Sequence, residues 1–576
     1  MTIPSPRGAE AGRSFPFRRT PPNSASLHGG GGSTGGRKLL PDGEGDRQKT
    51  GGGWPEPDPR PVTPPLYETI APTVRWMLTV CIMMATIMQA LDTTIANVAL
   101  PYMQGSLSTT QDQVNWVLTS YIVAAAIMTS PLGWMATRFG RKKLFIVCTA
   151  GFTVASMLCG VALSIEQMVA YRLLQGVFGA ALVPLSQAVM LDIFPPAKRG
   201  AAMAIWGMGV MLGPIMGPTL GGWLTDSYSW RWVFFVNLPF GVLTTLGLSI
   251  FMTETPTRLD VPFSWFGFLS LSLGIGALQM MLDRGEDLGW FDSTEIVVQA
   301  ILSIVGFYFF LTDCFTSKRP FISVRIFRDW NFVIALVFMF LIGVILLATM
   351  ALVTPFIQNL LGYPVLSSGY LLGARGIGTF VAMFIVGRLS GKVDARLMIF
   401  VGLVLATVSL WQMVGWSLDV SAETIAINSI MQGFGLGFVF VPLNTIAFAS
   451  LPGELRTEGA ALWTLIRNIG SSVGISIVIA QLTSMISEYH SQLVEHVTPF
   501  NDALHMPSAG MLSGTGLPSL AALEGIVTRQ AAAMAYSNDF LLMTLVSLAA
   551  FPLLALIRSP RAAPAPSREA AHAVMD

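Results

Sequence analysis

Charge is scarce in this chain. Only 12% of its 576 residues are Asp, Glu, Lys or Arg, against about 25% in a soluble domain, and that shortage excludes an ordinary soluble enzyme. The net charge of +1 leaves no global field to recruit nucleic acid. Cysteine is as sparse: Cys81, Cys148, Cys159 and Cys314 all fall in apolar runs without a CxxC pair. That excludes a disulfide framework and a zinc site and leaves four small packing residues. No GxxxxGK[ST] loop occurs, so direct ATP drive is disfavoured. An ion gradient is the remaining energy source, worth about 2.3 kcal/mol per elementary charge crossing ~100 mV, and no cofactor is expected. The five histidines, His28, His490, His496, His505 and His572, lie outside the apolar runs, which sets imidazole aside as an intramembrane proton carrier. With no nucleophile–base pair or metal-ligand cluster inside those runs, a membrane enzyme is the weakest option.

What the chain has in abundance is apolar length. It is 52% hydrophobic with a mean hydropathy of +0.61. Several runs reach the ~18–20 residues a helix needs to cross ~30 Å of hydrocarbon. They lack the alternating ten-residue segments of a transmembrane barrel, so the fold class is an all-α polytopic membrane protein. Fourteen spans are predicted, near 76–98, 114–136, 144–163, 168–190, 202–224, 232–252, 264–282, 296–315, 332–357, 367–388, 397–416, 423–447, 459–482 and 538–558. Lys and Arg collect in alternate loops: Arg138, Arg141, Lys142 and Lys143 after span 2, Lys198 and Arg199 after span 4, and Arg258 after span 6. The series continues with Lys318, Arg319, Arg325 and Arg328 after span 8, Lys392 and Arg396 after span 10, Arg456 after span 12, and Arg558 and Arg561 after span 14. Arg231, Arg284 and Arg529 are the exceptions on the opposite side. An even count with both termini in the cytoplasm fits this pattern. Residues 1–70, rich in Gly, Pro and Ser, and the stretch 559–576 are expected to be disordered tails, and no cleavable signal precedes span 1.

The chain also repeats itself. LQGVFGAALVPL from Leu174 matches MQGFGLGFVFVPL from Met431, so Gln175 and Gln432 stand 257 residues apart, as do Arg199 and Arg456. ALPYMQ at the end of span 1 aligns with VTPFIQ at the end of span 9 at a spacing of 254, which the loops starting at Gly133 and Gly387 share. Two six-helix halves, 71–255 and 326–558, are therefore expected on either side of an inserted helix pair and linker, 256–325, with an outer loop over 483–537.

Inside the spans a few polar residues break the apolar pattern. Asp92 lies deep in span 1, where an ionised carboxylate costs several kcal/mol unless paired or hydrated. It either hydrogen-bonds to its neighbours Thr93, Thr94 or Asn97, or takes and releases a proton, which desolvation favours. Its repeat position is Leu346, so the fold itself does not demand an acid there. Arg172 sits near the outer end of span 4, where the repeat has Ser429. It either snorkels to headgroups or holds a substrate anion or a carboxylate. Arg375 and Arg467 line a cavity or pair with backbone carbonyls. Thr93, Asn97, Gln175, Gln432 and Asn444 complete the candidate substrate cavity. In span 5, Gly209, Gly213, Gly217 and Gly221 recur every fourth residue, with Gly222 beside the last and Pro214 and Pro218 between. That ridge is either static close packing or a hinged, sliding contact between the halves. The loop after span 2 carries Gly133, Arg138, Gly140, Arg141 and Lys142, largely as positive-inside topology requires.

LDTTIANVALPYM, GWMATRFGRKKLF, RLLQGVFGA and GVMLGPIMGPTLGG, in that order, resemble the motifs of the fourteen-helix drug:proton antiporters of the major facilitator superfamily. WRWVFFVNLPFG and MLDRGEDLGWFDS resemble the same group, and EYHSQLVEHVTPFN, in the outer loop before span 14, is similar to the EmrB-like multidrug efflux branch of Gram-negative bacteria. The resemblance spans roughly residues 70–560. It implies the major facilitator fold, two six-helix repeats rocking about a midplane site plus two inserted helices, in the inner membrane. It implies export of small lipophilic substrates in exchange for protons, coupled through Asp92 and Arg172. It further implies an antiporter glycine/proline helix in span 5, a cytoplasmic gating loop after span 2, a periplasmic adaptor and an outer-membrane channel. One departure is Thr137, where the family's gating loop carries an acid. The alternatives are a dedicated exporter of one metabolite, such as a siderophore or antibiotic, and a non-transporting membrane sensor.

Overall fold

The computed structural model describes residues 66–257, 262–317, 320–497 and 517–558. The tails expected at 1–70 and 559–576 lie outside the described residues except for 66–70, of which Leu66–Thr69 form one helical turn. Arg258, Lys318, Arg319 and Arg561 also lie outside them. Every regular element among the described residues is helical. Among the described residues, thirteen helices are long and apolar enough to cross a membrane, and a bent pair brings the number to fourteen.

Span 1 is α1 (Pro72–Ser106), which starts with Pro at its first position, where the missing N–H costs no helical bond. Span 2 is broken into α2 (Gln111–Thr129) and α3 (Leu132–Phe139), which meet at 59°. The break falls at Pro131, whose ring cannot donate to the preceding turn. Thr110 and Gln113 close a capping box at the start of α2. Next come α4 (Arg141–Gly160), α5 (Ile165–Gly179) with α6 (Leu182–Ile193) as span 4, α7 (Arg199–Ser227) and α8 (Asn237–Phe251). The inserted pair is α9 (Trp265–Arg284) and α10 (Thr294–Thr316). The second half comprises α11 (Trp330–Pro355), α12 (Val365–Leu389), α13 (Ala395–Val414), α14 (Ala422–Ala449), α15 (Arg456–His496) and α16 (Leu517–Ala549).

The loop expected over 483–537 is helical up to His496 and again from Leu517, because α15 and α16 continue past the apolar stretch. Residues 498–516 lie outside the described residues. Within the first half, α1 packs on α7 and α8, and α5 on α2 and α4; within the second, α11 packs on α15, and α12 and α13 on α14. The halves meet where α7 lies against α12, where α6 and α2 lie against α15, and through α9, which touches both α2 and α15. The outer inserted helix α10 leaves Ile301, Ile304, Tyr308, Leu311 and Phe315 exposed, the apolar surface of a helix that faces lipid.

Candidate functional site

The two charges singled out in the first half meet. The guanidinium Nη1 of Arg172 donates to Asp92 Oδ2 at 2.8 Å, with Asp92 0% and Arg172 1% exposed. Gln175, one turn along α5, donates to Asp92 Oδ1 at 2.8 Å, and its own carbonyl accepts from Arg172 at 2.8 Å. Asn237, at the start of α8, donates to the same Oδ1 at 3.1 Å and to Ser156 Oγ at 3.0 Å. Arg172 Nε is held by the Val117 carbonyl at 3.0 Å, and its planar head lies over the Tyr121 ring at 4.4 Å. Three donors thus converge on one carboxylate, the arrangement by which a buried charge is paired and hydrogen-bonded.

This arrangement sets aside one of the sequence alternatives. Asp92 takes its partners from α5 and α8, not from Thr93, Thr94 or Asn97. The hydroxyl of Thr93 turns back to the Ala90 carbonyl at 2.8 Å, and Asn97 is exposed. Arg172 does not snorkel to headgroups, being buried. Asn237, Ser156 and Tyr121 were not singled out from sequence. The signal for Asn237 was available, a lone amide within WRWVFFVNLPFG. A second carboxylate, Asp539 in α16, is fully buried with both oxygens lacking a hydrogen-bond partner among the described residues.

A second cluster joins the halves at the end that carries the basic loops. Asp192, at the end of α6, pairs with Arg141 of α4 and with Arg456 of α15. Arg141 also donates to the Gly453 carbonyl at 3.1 Å. One carboxylate therefore ties two cations from opposite halves. One helical turn away Gln187 donates to Asn444. These two are repeat equivalents, 257 residues apart, so the hydrogen bond lies where the pseudo-symmetric halves meet themselves. Asn444, a candidate cavity residue, is 1% exposed and lies in this seam.

The loop after span 2 supplies backbone shape as much as charge. Gly133 lies so close to Glu458 of α15 that an added Cβ would sit 2.8 Å from the glutamate Cβ. Gly140 adopts φ 87°, which favours glycine, and a Cβ there would meet the Glu254 carboxylate at 2.3 Å. Glu254 Oε1 accepts from the Lys142 backbone at 3.2 Å, and Arg138 occupies the last turn of α3. Thr137 only bonds back to the Gly133 carbonyl at 2.9 Å.

The glycine ridge of α7 is a contact within one half. Ideal Cβ atoms on Gly209, Gly213, Gly217 and Gly221 would meet Met83, Ala90, Thr94 and Ile95, all on α1. Thr94 Oγ1 donates to the Gly213 carbonyl at 3.0 Å across this contact. The expected sliding surface between halves is therefore not the ridge. Ile215 and Thr219 of α7 lie toward α12, against Gly376 and Gly369. Pro214, Pro218 and Gly222 lie in the same helix.

The charged and polar residues expected in the second half do not converge on Asp92. Arg375 Nη2 reaches the Leu346 carbonyl at 3.4 Å, and Arg467 Nη2 reaches Asn468 Oδ1 at 3.3 Å. Gln432 is 1% exposed on α14. Of the candidate cavity residues, Gln175 alone joins the Asp92 cluster.

Comparison with known proteins bears on this geometry. The sequence profile of the Major Facilitator Superfamily matches residues 82–475. The chain is 36% identical over 427 residues to the multidrug export protein EmrB of Escherichia coli, covering 74% of this chain and 83% of that one. It is 32% identical over 488 residues to the fatty acid resistance protein FarB of Neisseria gonorrhoeae, covering 84% and 96%. Among solved structures its fold is similar to that of the human organic anion transporter MFSD10 (TETRAN), with a TM-score of 0.51 at 12% identity, covering 82% of this chain and 99% of that one.

Proposed function

The chain belongs to the Major Facilitator Superfamily, in its EmrB-like multidrug efflux branch, and from that premise we propose that it exports lipophilic drugs across the bacterial inner membrane in exchange for protons. The observation that carries the coupling is the buried pair of Asp92 and Arg172. A proton arriving on Asp92 cancels one charge and strands the guanidinium in a low-dielectric interior, at a cost of several kcal/mol. Moving α1 against α5 relieves that cost. Because α1 lies along the glycine face of α7, and α7 meets α12 across the seam, the displacement reaches the other half. Asp92 has no accessible surface in this state. Proton and drug therefore act on each other through helix position rather than by contesting one cavity.

Closure at the Asp192 cluster supports a state sealed toward the cytoplasm, the side assigned to the basic loops and both termini. A periplasmic adaptor and an outer-membrane channel belong to the same proposal. The 41 residues of α15 extend about 60 Å, roughly twice the hydrocarbon thickness. With α16 they carry a helical pair beyond the bilayer on the side away from the basic loops, tied by His490 and Glu524 at 2.8 Å.

The test uses the full chain in proteoliposomes under an imposed proton gradient. Wild-type protein is expected to move drug against its gradient. Asp92→Asn is expected to lose proton-driven export by at least roughly tenfold while still exchanging drug for drug. Full proton-coupled export by Asp92→Asn would sink the coupling assignment.

A further inference from the structure

One buried acid stands apart from the Asp92 cluster. Asp539 of α16 is fully buried, and neither of its carboxylate oxygens has a hydrogen-bond partner among the described residues. No ion pair among them includes it. The helices packed on α16 explain why. α11 carries no Asp, Glu, Lys or Arg, α13 has only Arg396 in its first turn, and α15 has none between Arg467 and Glu488. The short helical turns Phe356–Leu360 and Phe551–Leu556, which also touch α16, are uncharged. On α16 itself Arg529 is directed elsewhere, donating to the Leu360 carbonyl at 3.1 Å, and farther out His490 and Glu524 are tied to each other. The titratable groups left near Asp539 are two phenols, Tyr536 one turn before it and Tyr489 of α15, which accepts from its neighbour Asn538.

The two buried acids therefore differ in partners within one state. Asp92 has a guanidinium and two amides, and Asp539 has none. A carboxyl group buried without a partner stands as the neutral acid, because ionisation would forfeit hydration with nothing in exchange. Its position is equally specific. Ser537 donates to the carbonyl of Val414, the last residue of α13, at 2.5 Å. α13 begins beside Lys392 and Arg396, so Val414 marks its end away from the basic loops. Asp539 thus lies directly behind two side-chain hydrogen bonds at the outer end of the bundle, those of Ser537 and Asn538. The contact of Ser547 with Thr407, at 2.7 Å, lies about two turns deeper. Beside it Tyr536 and Phe540 pack on Phe356, with ring centroids 5.3 and 6.1 Å apart.

We propose that Asp539 is a second proton-binding site, loaded in this state from the outer side, so that each export cycle carries two protons. The inference rests on the efflux reading and adds a site and a stoichiometry to it. Parting the Ser537 and Asn538 bonds, by a shift of α16 against α13 and α15, opens the carboxyl group to outer water. The first half then binds its proton at the expense of an ion pair, and the second half binds its proton with no ion pair to break.

The test nulls transport in proteoliposomes of the full chain with the membrane potential clamped at zero. Against an inward proton gradient of about tenfold, net flux of an uncharged drug stops at a drug gradient of about hundredfold for two protons and about tenfold for one. Wild type is expected at the higher value and Asp539→Asn at the lower, with Asp539→Glu returning toward wild type. A wild-type null at the lower value, or an unchanged null in Asp539→Asn, overturns the second site. Infrared spectroscopy of the purified protein reads the site without transport. A carboxylic-acid C=O stretch is expected that Asp539→Asn removes, Asp539→Glu shifts, and rising pH in the presence of drug abolishes. Its absence from wild type, or its persistence at every pH at which the protein stays folded, overturns the site as well. Wild-type protein that moves no drug removes the efflux reading and leaves the infrared result to decide Asp539.

Discussion

Three side chains donate to the Asp92 carboxylate, and one of them is the buried guanidinium of Arg172. Removing its charge alone leaves Arg172 buried and unpaired, which costs about 3–5 kcal/mol. Removing both charges leaves a neutral, hydrogen-bonded core of similar volume, and such replacements are often close to neutral. Asp92→Asn is therefore expected to lower the thermal midpoint of the purified protein clearly, while the double variant Asp92→Asn/Arg172→Gln recovers most of the loss. Thermal unfolding of the three proteins in one detergent measures this. A single variant as stable as wild type would show that no ionised pair holds the first half together. The residue scale also shows where sequence reading stops. Both charged partners were legible as anomalies in apolar spans, but their pairing was not, because Arg172 lies 80 positions from Asp92 and Asn237 lies 145 away.

Helix contacts set the tolerance of α7. At Gly213 an added Cβ would lie 2.3 Å from the carbonyl carbon and oxygen of Ala90, backbone atoms that cannot swing aside. Gly213→Ala is expected to destabilise by about 1–3 kcal/mol, the usual cost of overpacking. At Gly222 the nearest atom is Val98 Cγ1 at 4.0 Å. Gly222→Ala should instead be neutral or stabilising by up to about 1 kcal/mol, the helix-propensity gain of alanine. Thermal midpoints of the two variants check the contrast, and a similar fall in both would overturn it. The four-residue spacing announced a close backbone contact. It could not announce the partner, since a ridge on one helix is equally compatible with a neighbour in its own half or in the other. The break at Pro131 has the same character: proline permits a bend, and the 59° angle depends on what α3 packs against.

At the scale of the molecule, the direct polar contacts between the halves among the described residues sit at one end. Gln187 and Asn444 hydrogen-bond across the pseudo-symmetry axis, and Asp192 holds Arg141 and Arg456 nearby. The paired substitution Gln187→Cys/Asn444→Cys is expected to form a disulfide on mild oxidation, to stop export when cross-linked and to regain it on reduction. Adding Asp192→Asn should lower the cross-linked fraction, because the closed end loses the carboxylate that two guanidiniums share. Gel mobility before and after reduction reads the fraction. Equal cross-linking with and without Asp192 would remove that residue from the closure.

Charge scarcity, apolar run length and the 257-residue repeat are one-dimensional properties, and the sequence by itself determined their consequences. Hydrocarbon thickness converts run length into spans, alternate basic loops give their register, and the repeat gives two related halves with an inserted pair. It also marked Asp92, Arg172, Arg375 and Gln432 as residues that an apolar span does not need. Only the tertiary structure decided which of them meet. Asp92 and Arg172 pair, while Arg375 and Gln432 stay without an acid. Asn444 meets its repeat equivalent Gln187 in a seam, and the glycine ridge binds α1 inside one half. The physical reason is that helical periodicity fixes the face a side chain occupies, whereas the identity of its neighbour depends on how distant helices pack.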